Sequence, residues 1–131
     1  MVRVLPKSKL KPLFIGFGKQ ACKYADVFKK YNINIEGACV KNIKKNKTKF
    51  KKYNVKNKFS SINLALKSKS YNCIFVFLPW NIIEKKIEQV LKFSKHKVFC
   101  EKPLALSYSK LRKIKKISNK YNKGLYVLYN R

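Results

Sequence analysis

The sequence predicts an α/β domain: one doubly wound sheet of about six parallel strands, with helices on both faces. Two observations carry this. Short apolar runs of strand length alternate with longer stretches whose apolar residues recur at helical spacing, and the connections between them are short. Such alternation joins parallel strands through right-handed crossovers. The run "NCIFVFLP", continuous in apolar residues and closed by Pro79, also suits a central strand buried on both faces.

The elements follow in order. "PLFIGFG" reads as a strand, Leu13 to Ile15, entering a glycine turn. From about Lys19 to Tyr31 the residues Ala21, Tyr24, Ala25 and Phe28 lie on one helical face. "INIEGACV", residues 33–40, is the second strand, and "KKNKTKFKKYNV" is a weakly marked lysine-rich helix. Phe59 ends a short strand, after which Ser60 or Ser61 caps a brief helix holding Ile62, Leu64, Ala65 and Leu66. Beyond the central run, Asn81 caps a helix with Ile83, Ile87, Val90 and Leu91 on one side. "KVFCEKP" is strand-like. Ser107 caps a helix carrying Leu111, Ile114, Ile117 and Ser118, which Gly124 ends. "LYVLY" is the last strand. No internal repeat or flexible linker interrupts the series.

With 131 residues, 46% of them hydrophobic, the chain is one folded domain spanning 1–131. No apolar run approaches the roughly 20 residues of a membrane-spanning helix. The N-terminal basic and apolar segment runs into a glycine turn rather than a small-residue cleavage site, so a cytoplasmic protein without a signal peptide is expected. The formal charge of +28 invites a nucleic-acid reading. Against it, only Arg3, Arg112 and Arg131 among the 33 basic residues are arginine, the side chain that base and phosphate recognition favours. The lysines are also spread along the whole chain, as solvated faces require. Cys22, Cys39, Cys73 and Cys100 form no C-x-x-C pair, and His96 is the single histidine. No metal site is expected, and the thiols read as reduced core or near-core residues.

The chemistry is expected at three strand ends. "GFGKQA", from Gly16 and Phe17 through Gly18, Lys19 and Gln20 to Ala21, is a G-x-G-x-x-A turn between a strand and a helix. Gly16 makes the tight turn, Gly18 lets backbone approach a pyrophosphate, and Ala21 lets helix and strand pack closely. The helix N-terminus then offers free N–H groups to the phosphates. At the end of the second strand, where an NAD site usually has an acid, stand Lys41 and Asn42; Glu36 is too early. Lys41, Lys44 and Lys45 either face the 2′-phosphate of NADP or are ordinary solvated lysines, so the cofactor is NAD or NADP with a lean to NADP. The fourth strand ends in Leu78-Pro79-Trp80-Asn81 and the fifth in Glu101-Lys102-Pro103. Ligands of open α/β sheets lie outside these ends. Lys102 brings a positive charge there, and Pro103 fixes the backbone that aims it. Glu101 either orients Lys102 or pairs with another lysine. Trp80 packs beside a cofactor ring or against the rim.

This order of motifs resembles the Gfo/Idh/MocA family of NAD(P)-dependent oxidoreductases. The similar features are "FIGFGKQA", the "FLP" strand end, and "KVFCEKPLALS" followed by a helix and "LYVLYNR". The resemblance implies a dinucleotide-binding Rossmann domain and reversible hydride transfer at a hydroxyl carbon of a sugar or cyclitol. It also implies that Lys102 lies near nicotinamide and substrate as the catalytic residue. Two departures stand out: no histidine follows Pro79, and the acid after the second strand is missing. The family's second domain, which supplies substrate pocket and oligomer interface, is expected to be absent or carried by a separate chain. The domain is therefore expected to bind a dinucleotide weakly and to turn nothing over alone. A non-catalytic nucleotide-binding or interaction module, and a basic nucleic-acid binder, are the alternatives.

Overall fold

Leu13, Phe14 and Ile15 are wholly buried because their strand lies in the middle of the sheet. In the computed structural model, which describes residues 10–122 and 124–128, the strands are β1 (Pro12–Ile15), β2 (Gly37–Cys39), β3 (Asn57–Phe59), β4 (Cys73–Val76), β5 (Lys97–Glu101) and β6 (Leu125–Leu128). The N-terminal basic segment with Arg3, and Tyr129, Asn130 and Arg131, lie outside the described residues. The six strands are ordered β3-β2-β1-β4-β5-β6, and every neighbouring pair is parallel. This is the Rossmann arrangement, with strand order reversing between β1 and β4.

Side chains alternate across the strands, so each strand feeds two cores. Leu13, Ile15, Ile74, Val76, Val98 and Cys100 face one side. There they meet Ile83, Ile87, Val90 and Leu91 of α4 (Trp80–Phe93) and Ile114 of α5 (Tyr108–Tyr121). Phe14, Phe75 and Phe77 face the other side, against Ala21 and Ala25 of α1 (Lys19–Lys30) and Phe50 of α2 (Lys47–Lys52). Ile87 is fully buried, so truncating it to Ala costs about 3 kcal/mol. The small α1 residues let that helix lie close to the sheet; α3 (Ile62–Lys67) completes the opposite layer. The lysines of α1, α4 and α5 are exposed, distributed over both sides of the molecule. No helix among the described residues is long and apolar enough to cross a membrane.

Four local expectations need correction. The second strand is shorter than residues 33–40. Ile33 N–H still bonds Phe28 carbonyl at the end of α1, and β1 begins at Pro12, which has no N–H to extend the ladder. Helix α4 starts at Trp80 with Pro79 as its N-cap, so Asn81 is inside the helix; Ile82 and Ile83 N–H both donate to the Pro79 carbonyl. Asn122, not Gly124, caps α5. Its buried amide donates to the Ser94 and His96 carbonyls, and its side-chain oxygen accepts from Gly124 N–H. Ser61 occupies the N-cap of α3 but its side chain makes no capping bond, whereas Ser107 accepts from Lys110 N–H as expected.

Candidate functional site

The sequence places glycine at both ends of the turn after β1, for two different reasons. Gly16 has φ +92°, and a Cβ there would lie 2.6 Å from the Phe77 carbonyl oxygen. Its N–H donates to Cys39 carbonyl at 2.8 Å, and Phe77 N–H donates to Ile15 carbonyl at 2.8 Å. The turn is thereby bonded to both flanking strands, and only glycine fits. Gly18 has φ −82°, and a Cβ there would meet nothing within 4 Å. Nothing within the protein demands glycine at that point. Gly18 is the N-cap of α1, has no side chain to cap with, and is followed by no acidic residue in the first turn. The first intrahelical bond runs from Cys22 N–H to Gly18 carbonyl, so the preceding N–H groups have no helical partner.

Those N–H groups open onto a cleft of about 950 Å³ at the carboxyl ends of β1, β2 and β4. Gly16, Phe17, Gly18, Lys19 and Gln20 form its floor with Lys41, Leu78, Pro79 and Glu101 around them. Phe17 contributes backbone; its ring is buried against Phe14, Phe50 and Tyr53. Sequence reasoning missed several neighbours. Lys49 of α2 reaches back to donate to the Phe17 carbonyl at 3.0 Å, Ser60 to Asn63 approach from the end of β3, and Lys86 and Gln89 from α4. The β3 end was open to the same strand-end rule as the others. The α2 and α4 side chains converge only in three dimensions.

Three expected residues lie elsewhere. Asn42 turns its side-chain oxygen to Lys45 N–H, 3.1 Å away, and so organises the loop holding Lys44 and Lys45, none of which lines the cleft. Trp80, the first residue of α4, lies 56% exposed in a second groove toward α5. Lys102 is exposed beside the cleft wall rather than in it. Successive side chains of a strand point oppositely, and it is Glu101 that faces the cleft. The peptide between Lys102 and Pro103 is cis.

The lining is strongly one-signed, with Lys19, Lys41, Lys49 and Lys86 against the single carboxylate of Glu101. Glu101 forms no ion pair among the described residues, and its Oε2 is buried without a hydrogen-bond partner. Burial raises its carboxyl above the ordinary range, opposed by the Lys102 N–H and the charges of Lys102 and Lys23. Cys39 also lines the cleft, but burial pushes its thiol up to about 11, which keeps it neutral at pH 7 and a poor nucleophile. Glu36, the acid just before β2, sits at the opposite end of the strand and pairs loosely with Lys56 at 3.9 Å.

The model of the oxidoreductase family Gfo/Idh/MocA, NAD-binding Rossmann fold, matches residues 10–129. The chain belongs to the Gfo/Idh/MocA family. It is an NAD-binding Rossmann domain of that oxidoreductase family. Solved structures agree in fold. Myo-inositol 2-dehydrogenase from Lactobacillus plantarum superposes with a TM-score of 0.78 at 16% identity over 91% of this chain and 36% of that one. The WlbA dehydrogenase of Chromobacterium violaceum, in complex with NADH and UDP-GlcNAcA, gives 0.80 at 16% identity over 97% and 38%. An Agrobacterium radiobacter oxidoreductase in complex with NAD+, L-tartaric acid and magnesium gives 0.80 at 17% identity over 92% and 35%. This Gfo/Idh/MocA chain thus spans little more than a third of those structures. No curated protein matches it by sequence. The comparisons give no support to the interaction-module or nucleic-acid readings.

Proposed function

We propose that the cleft holds a nicotinamide dinucleotide, with its pyrophosphate over Gly18, and that the domain is the cofactor-binding part of a dehydrogenase. The observation that carries this is Gly18. Its backbone is ordinary, its missing side chain faces open space, and unbonded N–H groups of α1 lie beside it. A phosphate fills that space and takes those donors, helped by the positive end of a 12-residue helix. The orphaned Oε2 of Glu101 supports the same reading, since a buried carboxylate oxygen needs a donor such as a ribose hydroxyl.

When bound, the dinucleotide supplies the hydride chemistry; the chain's own residues position it. Gly16, Phe17, Lys19 and Gln20 hold the pyrophosphate through backbone and charge. Leu78 and Pro79 wall the nicotinamide side. Lys41, with Lys49 taking the place expected of Lys44 and Lys45, faces the adenosine ribose and favours NADP over NAD, because no carboxylate stands at the end of β2 to accept the 2′-hydroxyl. Lys102, exposed beside the cleft, is assigned as the catalytic residue by family resemblance. Asn42 and Trp80 are assigned no cofactor contact.

The substrate is a sugar or cyclitol hydroxyl, in keeping with the inositol dehydrogenase and UDP-sugar-bound relatives. Hydride transfer needs that substrate held dry against the nicotinamide, and an exposed Lys102 shows none of that enclosure. The domain therefore binds cofactor without turnover unless a substrate-binding partner is supplied. Fluorescence titration with NADH and NADPH tests this: saturable binding, tighter for NADPH, is expected. No binding of either sinks the reading, equal or tighter NADH binding sinks the NADP preference, and turnover of a sugar by this chain alone sinks the claim of dependence.

A further inference from the structure

We propose that the groove between α4 and α5 is a docking surface for an acidic polypeptide segment with apolar anchor side chains. The groove, about 520 Å³, lies apart from the dinucleotide cleft and is lined by Trp80, Leu106, Ile114 and Ile117 with Lys85 and Lys113 among its rim residues. Trp80 and Leu106 are 56% and 62% exposed, and Tyr108 and Leu111 extend the apolar surface along the start of α5 at 75% and 42%. Contiguous exposed apolar surface edged by charge marks interaction sites, and aromatic residues dominate binding hot spots.

The exposure is built in. Glu84 of α4 accepts from Leu106 N–H at 2.5 Å and from Lys110 Nζ at 2.8 Å, which pins the loop that holds Leu106 outward. Charge selects the occupant. Glu84 and Glu88 also line the groove but are tied to Lys110 and Lys92, which leaves Lys85 and Lys113 as the lining charges without an ion pair among the described residues. A second copy would bring another +28 against this face. An apolar floor of leucine, isoleucine and tryptophan suits side-chain anchors of a polypeptide better than a phosphate backbone.

Trp80 is the only tryptophan, so its emission reports occupancy of the groove directly. The probe is a synthetic helical peptide with leucine and phenylalanine on one face and glutamate on the other, titrated into the full chain. A saturable blue shift is expected, weakened about tenfold in a Leu106→Asp/Leu111→Asp variant, several-fold in Lys113→Glu, and by added salt. Both leucines are exposed, so circular dichroism of the variant should match wild type; Lys113→Glu keeps the test sound if it does not. An unshifted Trp80 emission overturns the proposal. So does equal binding of polyglutamate, which lacks anchors, or an oligonucleotide that shifts Trp80 and displaces the peptide.

Discussion

The turn after β1 and the turn after β5 face the same cleft edge yet are finished to different degrees. Gly16 is locked by its neighbours' backbone, and the α1 N-terminus behind it is set by a buried Ala21. At the β5 end, Glu101 keeps an unsatisfied buried oxygen and Lys102 stands in solvent. The end proposed to hold phosphate is thus made of backbone, fixed as soon as the sheet forms. The end proposed as reactive is made of side chains, one with an unsatisfied oxygen and one exposed. Preorganisation is a property of part of this site.

Substitutions can break or sharpen that contrast. Gly16→Ala should have the largest effect, since its Cβ would collide with backbone at 2.6 Å and adopt a left-handed conformation. A loss of about 3 kcal/mol is expected in denaturant unfolding; an unchanged midpoint would show that the turn is not locked. Gly18→Ala, two positions on, should keep stability within about 0.5 kcal/mol but weaken dinucleotide binding about tenfold, roughly 1.4 kcal/mol. Equal binding by the variant would remove the reason given for glycine there. Lys41→Ala combined with Lys49→Ala should lower NADPH affinity several-fold and NADH affinity less, as one lost phosphate charge pair implies; equal losses would assign these lysines to general attraction.

The smallest effect is expected at Glu101. A carboxyl whose folded-state value is raised above its unfolded value opposes folding when it ionises: the fold is most favoured with both states protonated, and stability falls as pH rises through the unfolded and then the folded value. Without ligand, Glu101→Gln should therefore raise Tm at pH 7 and leave it unchanged below about pH 4. With dinucleotide present the sign of its effect on binding should reverse, because the carboxylate then has a donor to accept from. A variant that is less stable at pH 7 without ligand would contradict the orphaned oxygen.

Much of the fold was legible because period and punctuation agree: "LFIGFG" and "CIFVFLP" became central strands, and Ser107 became the cap it promised to be. The glycine turn between β1 and α1 was legible for the same reason, being local. What escaped depends on partners distant in sequence. Ile33 to Glu36 alternate like a strand, yet the missing N–H of Pro12 ends the ladder before them. Trp80 followed a strand end, but its position as the first residue of α4 carries it into another groove. Lys49, Ser60 and Gln89 carried no motif and reach the cleft only through packing of elements that sequence periodicity leaves unordered in space.

The all-parallel ladder has a further consequence, for how the molecule forms. Even its nearest pairing in sequence, Gly37 with Asn57, spans a whole helix, and Pro12 must find Cys73. No hairpin exists among the described strands to nucleate the sheet, so assembly waits on long loop closures and proceeds slowly for a chain of this size. During that wait the apolar strands stand open, and mutual repulsion between chains of charge +28 keeps them from finding one another first.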